Sequence, residues 1–244
     1  MLGYALPMDA PIRLLIHGAS GRMGQALLRL CAEAPERFDV VAAVSRRPSQ
    51  RVVDGVPQFA AAELNGVPKF DVAIDFSLAE AFDRILALCV ARKAALVSGT
   101  TGLSAAQREA LAQASGTIPA AWASNFSLGV AVLHELVARA ARALPGWTCD
   151  IVEAHHARKQ DAPSGTALTL GEAAGEGGAQ PNYASIRAGD IVGEHTVQFT
   201  GMGERIELVH RAGNRDIFAR GALHAASKLL GHEPGLYGVA DLLE

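Results

Sequence analysis

The sequence has few cysteines and no excess of positive charge. Its three cysteines, at 31, 89 and 149, are odd in number, far apart and without a paired spacing. That pattern argues against a disulfide framework and against a zinc site. The formal net charge is −3, so no cationic field favours nucleic acid or an anionic membrane as a partner. These features favour chemistry on a small molecule in the reducing cytoplasm.

Long apolar runs and a basic leader are also missing. No apolar stretch approaches the roughly 20 residues that a membrane-spanning helix needs. No basic residue precedes the apolar positions of 1–10, as a signal peptide would require. Met8 is a second candidate start and would leave the residues before it as an extension. Half of the 244 residues are apolar, which is enough for the core of one large or two modest domains.

Strand-like and helix-like segments alternate through the first half of the chain. The apolar run 12–16 leads into a glycine turn and then into the helical spacing of Ala26, Leu27 and Leu30. Further strands are predicted over 39–44, 70–76, 94–97 and 119–123, with helices over 79–91 and 105–113. This alternation predicts an α/β fold of the Rossmann type, in which a parallel sheet is wound on both faces.

The pattern changes after a longer helix predicted over 128–144. Strand-like segments then follow one another directly, over 151–153, 184–188, 195–200 and 205–210. Such a succession predicts a second, α+β domain built on an antiparallel or mixed sheet. Residues 171–182 are rich in Gly, Ala and Glu, with little apolar content, and are predicted to form a frayed helix end and a mobile loop.

The turn after the first strand reads Gly18-Ala19-Ser20-Gly21-Arg22-Met23-Gly24. The spacing G-x-x-G-x-x-G is weak by itself, but its position between a strand and a helix is that of a dinucleotide-binding turn. There Gly18 permits the tight turn, Gly21 lets the backbone approach a pyrophosphate, and Gly24 lets the helix pack closely on the strand. The alternative is a strand-to-helix turn that binds no ligand.

The end of the second strand bears on the choice of nicotinamide cofactor. An acidic residue at that point accepts hydrogen bonds from the ribose 2′-hydroxyl of NADH, whereas this chain has Ser45-Arg46-Arg47. The Arg46 guanidinium can offer a 2′-phosphate a planar fork of donors. The sequence therefore favours NADPH, with NADH as the second candidate. The alternative interpretation is two solvated arginines in a loop.

Proton donors, cations and a predicted helix start are concentrated in residues 153–167, which read E-A-H-H-A-R-K-Q-D-A-P-S-G-T-A. His155 can supply a proton near neutral pH, and Lys159 can neutralise developing charge. The segment 163–166 has the composition of a helix start, whose free backbone N–H groups attract an anion. Alternatively, His155 and His156 are ordinary strand-end residues. Their side chains would point to opposite faces, so a shared metal is disfavoured and no metal site is predicted.

Together with Gly99-Thr100-Thr101-Gly102 and residues 123–130, this run resembles the dihydrodipicolinate reductases, also called 4-hydroxy-tetrahydrodipicolinate reductases. The resemblance spans nearly the whole chain and includes 187–196 and 203–205. The motifs E-A-H-H and D-A-P-S-G-T-A at this separation are very specific. The resemblance implies NAD(P)H-dependent reduction of dihydrodipicolinate to tetrahydrodipicolinate, in diaminopimelate and lysine biosynthesis. It also implies a cytoplasmic homotetramer assembled through the sheet of the second domain.

The resemblance further implies roles for individual residues. His155 is the proton donor and Lys159 also serves the active site. The substrate dicarboxylate is held by His156, Ser164, Gly165 and Thr166. The cofactor contacts are Gly18, Ala19, Ser20, Gly21, Arg22, Met23, Arg46, Gly99, Thr100, Thr101, Ala123, Ser124, Asn125 and Phe126.

The resemblance also implies the division of the chain. A dinucleotide-binding domain comprises 1–126 plus 214–244, because the last helix returns to it. A substrate-binding and oligomerisation domain comprises 127–213, and the nicotinamide lies between the two. Two departures from the family pattern stand out. Family members often carry an acidic residue where Ser45 stands, and they have a longer, arginine-containing segment where this chain has only 171–185.

Two other functions are compatible with the glycine turn. One is a related nicotinamide-dependent dehydrogenase that acts on another small anion, such as an amino acid. It gives no reason for two adjacent histidines, Lys159 and a Ser-Gly-Thr turn to occur together. The other is a redox-sensing protein that binds the dinucleotide without catalysis. It would tolerate the loss of His155 and Lys159, and both are present.

Overall fold

A computed structural model describes residues 10–243, and the candidate start at Met8 lies outside this range. The chain divides into two compact units. The first runs to Phe126 and resumes at Phe218, and the second is Ser127–Ile217. The chain therefore re-enters the first unit at residue 218, four residues after the position 214 expected from the sequence.

The elements follow one another in a regular alternation before the second unit. The first part of the chain forms β1 (Ile12–His17), α1 (Arg22–Ala32), β2 (Phe38–Ser45), β3 (Val52–Val53), β4 (Val56–Ala60), β5 (Val72–Asp75), α2 (Ala79–Arg92), β6 (Ala95–Ser98), α3 (Ala105–Ala114) and β7 (Pro119–Trp122). The rest forms α4 (Leu128–Ala143), β8 (Thr148–His155), α5 (Gly165–Glu176), β9 (Pro181–Arg187), β10 (Glu194–Thr200), β11 (Arg205–Arg211), α6 (Asp216–Leu229) and β12 (Gly235–Tyr237). Short 3-10 helices lie at Ala61–Gly66 and Ala240–Leu242.

The sheet of the first unit has the order β12-β7-β6-β5-β1-β2-β4-β3. Its neighbours pair in parallel except β3 and β4, which are antiparallel. Strands β1, β5 and β6 are buried along almost their whole length, because helices cover both faces of such a sheet. The parallel, doubly wound sheet predicted from the sequence is confirmed. The strand order reverses beside β1, and folds of this kind bind ligands in the crevice at that point.

The sheet of the second unit is mixed, as predicted, with the order β11-β10-β8-β9. Strand β10 is antiparallel to β8 and β11, and β9 runs parallel to β8. Alternate side chains of β8 and β10, among them Ile151, Val197 and Phe199, form a core with residues of α4 and α5. Period-two alternation sends the intervening side chains to the opposite face of the sheet.

The segment 171–182, predicted as a helix end followed by a mobile loop, does contain the end of a helix, but its loop is shorter than predicted and covers only 177–180. Helix α5 continues to Glu176, and β9 begins at Pro181. Small residues serve close packing here: a side chain at Gly171 would overlap the Tyr183 ring, and one at Gly177 would overlap Ala141 of α4. The low apolar content of the segment therefore reflects tight contact with its neighbours, not an absence of structure.

Two further features bear on the expectations from composition. All three cysteines are free and buried, and burial raises the pKa of the Cys31 thiol to about 12, so it stays protonated and unreactive at neutral pH. Within residues 10–243, no helix combines the length and the apolar character needed to span a membrane.

Candidate active site

The predicted glycine turn joins β1 to α1 in a conformation that needs glycine. Gly18 has a φ of 82°, and a side chain on it would overlap the Phe76 carbonyl group. A side chain on Gly24 would overlap the backbone at Gly18 and Ala19, so α1 packs directly on the turn. At Gly21, by contrast, a Cβ would approach only the Gly18 carbonyl oxygen, at 3.2 Å. The backbone of the turn therefore packs tightly on neighbouring backbone at Gly18 and Gly24, whereas at Gly21 there is room for a ligand to approach it.

Helix α1 begins without a side-chain cap. Its N-cap is Gly21, and its first turn holds no acidic residue. Helices α3, α4 and α5 differ, since each is capped by a serine hydroxyl, from Ser104, Ser127 and Ser164 respectively. A helix start that lacks an internal acceptor offers its N–H groups and its positive dipole end to an anion. The turn and the helix start together fit the pyrophosphate of a dinucleotide.

A buried carboxylate connects the strand ends beside this turn. Asp75, at the end of β5, is fully buried and accepts hydrogen bonds from His17 Nδ1 at 2.8 Å, Ser98 Oγ at 2.9 Å and Thr100 Oγ1 at 2.7 Å. Burial acts to raise the pKa of Asp75, but hydrogen bonding from His17, together with that from Ser77 and Thr100, outweighs it, and the pKa lies below its usual value. Sequence reasoning assigned no role to His17 or Asp75, although polar residues that end buried apolar strands are a signal for such a network.

The other predicted cofactor residues of this unit lie at the carboxyl ends of β6 and β7. The Thr100 hydroxyl donates a hydrogen bond to Asp75, and the Thr100 carbonyl oxygen accepts one from Trp122 Nε1 at 3.0 Å. Phe126 is buried and packs edge-to-face on Phe76, with 5.8 Å between ring centroids. The parallel sheet therefore brings the glycine turn, residues 99–101 and residues 123–126 to the same edge.

Arg46 follows β2 and is exposed, as a residue that contacts a ligand can be. Its Nη2 lies 3.5 Å from Glu80 Oε1, and both side chains are largely exposed. Glu80 belongs to the first turn of α2. An acidic side chain therefore does lie near the end of β2, although the strand itself ends in Ser45 and not in an acidic residue. Reasoning along the chain missed Glu80 because it comes from a helix more than 30 residues further on.

In the second unit, Glu153 and His155 lie on the same face of β8, because side chains alternate along a strand. Glu153 is 1% exposed, and its Oε2 lies 2.5 Å from His155 Nδ1. Arg187, the register neighbour of His155 on β9, donates from Nη1 and Nη2 to the two carboxylate oxygens at 2.9 and 2.6 Å. Burial acts to raise the pKa of Glu153, but hydrogen bonding, from Arg187 above all, lowers it to about 2. Glu153 is thus a carboxylate at any physiological pH.

The start of α5 is bound to the same carboxylate. Ser164 is the N-cap, and its N–H donates to Glu153 Oε1 at 3.2 Å while its hydroxyl accepts from Ala167 N. The helix begins at Gly165, where a Cβ would meet nothing within 4 Å. The predicted helix start is present, but the N–H and hydroxyl of Ser164 already have partners inside the protein. The open side of the helix start lies at Gly165.

His195 is a buried residue to which sequence reasoning gave no role. It lies opposite Glu153 on β10, and its Nε2 is 3.1 Å from Ser164 Oγ. Its ring packs edge-to-face on His155, with 5.2 Å between centroids. Burial lowers the pKa of His195 to about 4, so the ring is neutral near pH 7. Only the pairing of β8 with β10 reveals this neighbour, which is 40 residues from His155 in the chain.

Lys159 and His156 lie in the turn that follows β8. The Lys159 N–H donates to the His156 carbonyl oxygen at 3.0 Å. Lys159 Nζ lies 2.7 and 2.8 Å from the two carboxylate oxygens of Asp161, a residue without a predicted role. Burial, followed by the nearby charge of Arg158, lowers the pKa of His156. The structure therefore places Glu153 at the centre of the group formed by His155, Ser164 and Arg187. Lys159 is paired with Asp161 in the adjoining turn.

No group of three or more His, Cys, Asp or Glu side chains in residues 10–243 is arranged to hold a metal ion.

The fold, the uncapped helix start and the histidine-carboxylate group define the chain as one of the two-domain, dinucleotide-binding oxidoreductases. Two family models then match it in succession. The dihydrodipicolinate reductase N-terminus matches residues 12–126, and the dihydrodipicolinate reductase C-terminus matches residues 129–243. The chain belongs to the dihydrodipicolinate reductase family, so the predicted resemblance is confirmed.

Relatives support the same membership over nearly the full length. The 4-hydroxy-tetrahydrodipicolinate reductase of Stenotrophomonas maltophilia (strain R551-3) is 74% identical over 237 residues, which cover 97% of this chain and 99% of the relative. That of Xanthomonas campestris pv. campestris (strain B100) is 72% identical over 234 residues, which cover 96% and 98%.

Solved structures share the fold. The dipicolinate-bound dihydrodipicolinate reductase from Paenisporosarcina sp. TG-14 has a TM-score of 0.82 at 22% identity, covering 93% of this chain and 97% of that one. GenD2 from gentamicin A biosynthesis, in complex with NAD, has a TM-score of 0.68 at 15% identity, covering 100% and 93%. At these identities the similarity establishes the architecture and not the chemistry.

Proposed function

We propose that the chain catalyses the NAD(P)H-dependent reduction of dihydrodipicolinate, formed from 4-hydroxy-tetrahydrodipicolinate, to tetrahydrodipicolinate. This is a step of diaminopimelate and lysine biosynthesis. The observation that carries the proposal is the succession of two family matches, which together span 12–126 and 129–243. The arrangement around Glu153 supports it, because a histidine acid and an open helix start are what reduction and protonation of a small anion require.

The roles of the residues follow from the chemistry of the reaction. When bound, the nicotinamide supplies a hydride to one atom of a conjugated ring. Electron density then accumulates on another ring atom, and a nearby acid has to provide a proton. We assign this proton to Nε2 of His155, because Nδ1 is occupied by Glu153: the doubly protonated ring donates from Nε2 and is left neutral with its remaining proton on Nδ1. Lys159 is proposed to offset the negative charge that develops in the transition state.

The substrate carboxylates need cations or N–H donors in the second unit. We assign them to His156 and to the helix start at Ser164, Gly165 and Thr166, where the positive dipole end of α5 favours an anion. Because Ser164 uses its own N–H and hydroxyl within the protein, its part is to fix the helix start. The open backbone at Gly165 is the proposed point of closest approach to a carboxylate.

The cofactor is proposed to be NADPH in preference to NADH. It would contact the glycine turn 18–23, the loop 99–101 and the segment 123–126, with Arg46 at the 2′-phosphate. Glu80, 3.5 Å from Arg46, offers an acceptor for the 2′-hydroxyl of NADH. The pair of opposite charges supports use of both cofactors, with the guanidinium favouring NADPH.

The second unit is also proposed to assemble a cytoplasmic homotetramer through its sheet. Helices α4 and α5 share a core with one face of that sheet. On the other face, Ile186 is 50% exposed and Val209 is 40% exposed. Exposed apolar side chains on one face of a sheet are typical of an interface between subunits.

The decisive experiment follows the absorbance of NADPH and NADH in the presence of freshly generated dihydrodipicolinate. We expect oxidation of both cofactors, with the higher kcat/KM for NADPH. Turnover of an amino-acid substrate in place of dihydrodipicolinate would favour the related dehydrogenase. Binding of the dinucleotide without turnover of either substrate would favour the redox sensor. Size-exclusion chromatography with light scattering measures the assembly, and a monomer would contradict the tetramer.

A further inference from the structure

Glu153 is a charged group in a place where a charge is costly. Its side chain is 1% exposed, yet it remains ionised. A buried carboxylate persists only where hydrogen bonds and opposite charge compensate for the lost water. Both of its oxygens are used: Oε2 by His155 and Arg187, and Oε1 by Ser164 and Arg187. An apolar residue would fill this position at a lower cost, so the carboxylate calls for an explanation beyond packing.

The contact with His155 determines which ring nitrogen carries the proton in the neutral ring. An ionised carboxylate only accepts hydrogen bonds, so Nδ1 of His155 must be the donor across the 2.5 Å contact. Nε2 is then the nitrogen that can gain and lose a proton. It faces Gly193, where an added Cβ would come within 3.1 Å, so the missing side chain leaves space beside the reactive nitrogen.

Two neighbours hold this arrangement in place. Arg187 binds both carboxylate oxygens, and its Nη2 also donates to the Asp161 carbonyl oxygen at 2.6 Å. The guanidinium therefore prevents the carboxylate from rotating away and keeps it anionic while His155 changes charge. On the other side, the His195 ring packs edge-to-face on His155 and restricts its rotation.

We propose that Glu153 is a positioning residue for the reduction: it fixes His155 with the proton on Nδ1 and directs Nε2 toward the substrate. The inference rests on the proposed function only for its kinetic consequence, because the tautomer can be measured without turnover. Arg187 acts with Glu153 as the group that holds the carboxylate in one orientation and one charge state.

The first test reads the tautomer directly. The ¹⁵N chemical shifts of His155, in protein labelled only at histidine and assigned by comparison with His155→Gln, distinguish a protonated Nδ1 from a protonated Nε2. We expect Nδ1–H in the native protein at a pH where the ring is neutral, and a mixture of tautomers in Glu153→Gln. The proposal is overturned by Nε2–H in the native protein or by an unchanged spectrum in the variant. Neither result depends on whether the substrate is dihydrodipicolinate.

The second test is a double-mutant cycle on kcat. Glu153→Gln is expected to lower kcat by about 10- to 100-fold with little change in KM, because only the proton transfer is affected. In a His155→Gln background the same change should cause no further loss. A full additional loss there would show that Glu153 acts independently of His155 and would overturn the proposal, as would native kcat in the single variant.

Two further proteins keep the test informative. Glu172→Gln removes an exposed carboxylate from α5 and is expected to leave kcat unchanged. If Glu153→Gln does not fold, Glu153→Gln combined with Arg187→Gln removes both charges of the buried pair, a replacement that proteins tolerate better than the loss of one partner. That double variant should fold and show the same mixed tautomers, and native tautomers in it would contradict the proposal. Absence of turnover in the native protein would overturn the proposed function and leave the tautomer result standing.

Discussion

His17 and Asp75 form a buried pair immediately before the glycine turn, with 2.8 Å between Nδ1 and Oδ1. The same carboxylate accepts hydrogen bonds from Ser98 and Thr100. One side chain therefore connects the ends of β1, β5 and β6, from which the loops at the dinucleotide edge of the sheet begin. The position of these loops depends on a group that is itself inaccessible to a ligand.

Replacing Asp75 with Asn should weaken both the fold and the cofactor site. The amide cannot accept from His17, Ser98 and Thr100 as the carboxylate does, and a buried polar group left without its partner costs about 1–3 kcal/mol in the free energy of unfolding, measured by urea denaturation. The dissociation constant for NADPH, measured by fluorescence, should rise. Asp71→Asn is the matched control, because Asp71 is a partly exposed partner of Arg13 at the other end of the strand. Its cost should stay within about 1 kcal/mol. Equal effects of the two changes would contradict the special role of Asp75.

Gly18→Ala should abolish dinucleotide binding. The substitution combines a φ of 82° with overlap of the Phe76 carbonyl group. Gly55 has the same φ but nothing within 4 Å of an added Cβ, so Gly55→Ala isolates the cost of the backbone conformation, about 1–2 kcal/mol. The comparison uses thermal unfolding and NADPH titration. Native NADPH affinity in Gly18→Ala would show that the turn can move without affecting the cofactor.

Arg46 and Glu80 are expected to have opposite effects on cofactor preference. Arg46→Ala should raise KM for NADPH about tenfold, because a charge-assisted hydrogen bond contributes about 1.5 kcal/mol, and should leave KM for NADH nearly unchanged. Glu80→Gln should lower KM for NADPH and raise KM for NADH, as it removes a negative charge 3.5 Å from the guanidinium. Arg29→Ala, an exposed arginine paired with Glu33, serves as the control. Parallel changes for both cofactors would reject the assignment.

His155→Gln should lower kcat by about 10²- to 10⁴-fold, the usual contribution of a general acid. KM should change far less, because the proton is required in the transition state and not for binding. His134→Gln on α4 changes a histidine outside the candidate site and should retain native kcat. Steady-state kinetics with each cofactor measures both variants, and native kcat in His155→Gln would remove His155 from the acid role.

The buried His195 should make the protein sensitive to mild acid. Its pKa is about 4 in the fold and about 6.5 in an unfolded chain. Below pH 6.5 the unfolded chain therefore binds a proton that the folded chain does not, and stability falls as the pH decreases from 6.5 to 4. The loss is about 3 kcal/mol. Urea unfolding across this range should show a flatter pH dependence in His195→Gln. An equal slope in both proteins would assign the acid sensitivity to other groups.

The sequence predicted the elements whose physical signal is local. Buried parallel strands read as apolar runs, so β1, β5 and β6 could be recognised directly. Strands β3 and β4 were missed because they are short and because Pro57 lies inside β4, which argues against a strand. The loop after α5 was predicted to be longer than it is because small residues signal either a loop or close packing, and only the neighbouring elements distinguish the two.

The candidate site shows the same limit at the level of side chains. The period of two along β8 places Glu153 beside His155, and that much could have been predicted. Arg187 and His195 could not, because they meet Glu153 through strand pairing over 34 and 42 residues of chain. Glu80 shows the same limit for a charge: β2 does not end in an acidic residue, but helix α2 places the Glu80 carboxylate beside Arg46.

The attachment of both His155 and Ser164 to one carboxylate has a consequence for protein engineering. Residues 156–163 form a loop whose two ends are fixed on the same buried anchor. Individual side chains of this loop other than Lys159 and Asp161 can therefore be exchanged while His155 and the start of α5 keep their spacing. A library confined to Ala157, Arg158, Gln160 and Ala162 would vary the surroundings of the site while Lys159 and its partner Asp161 stay in place.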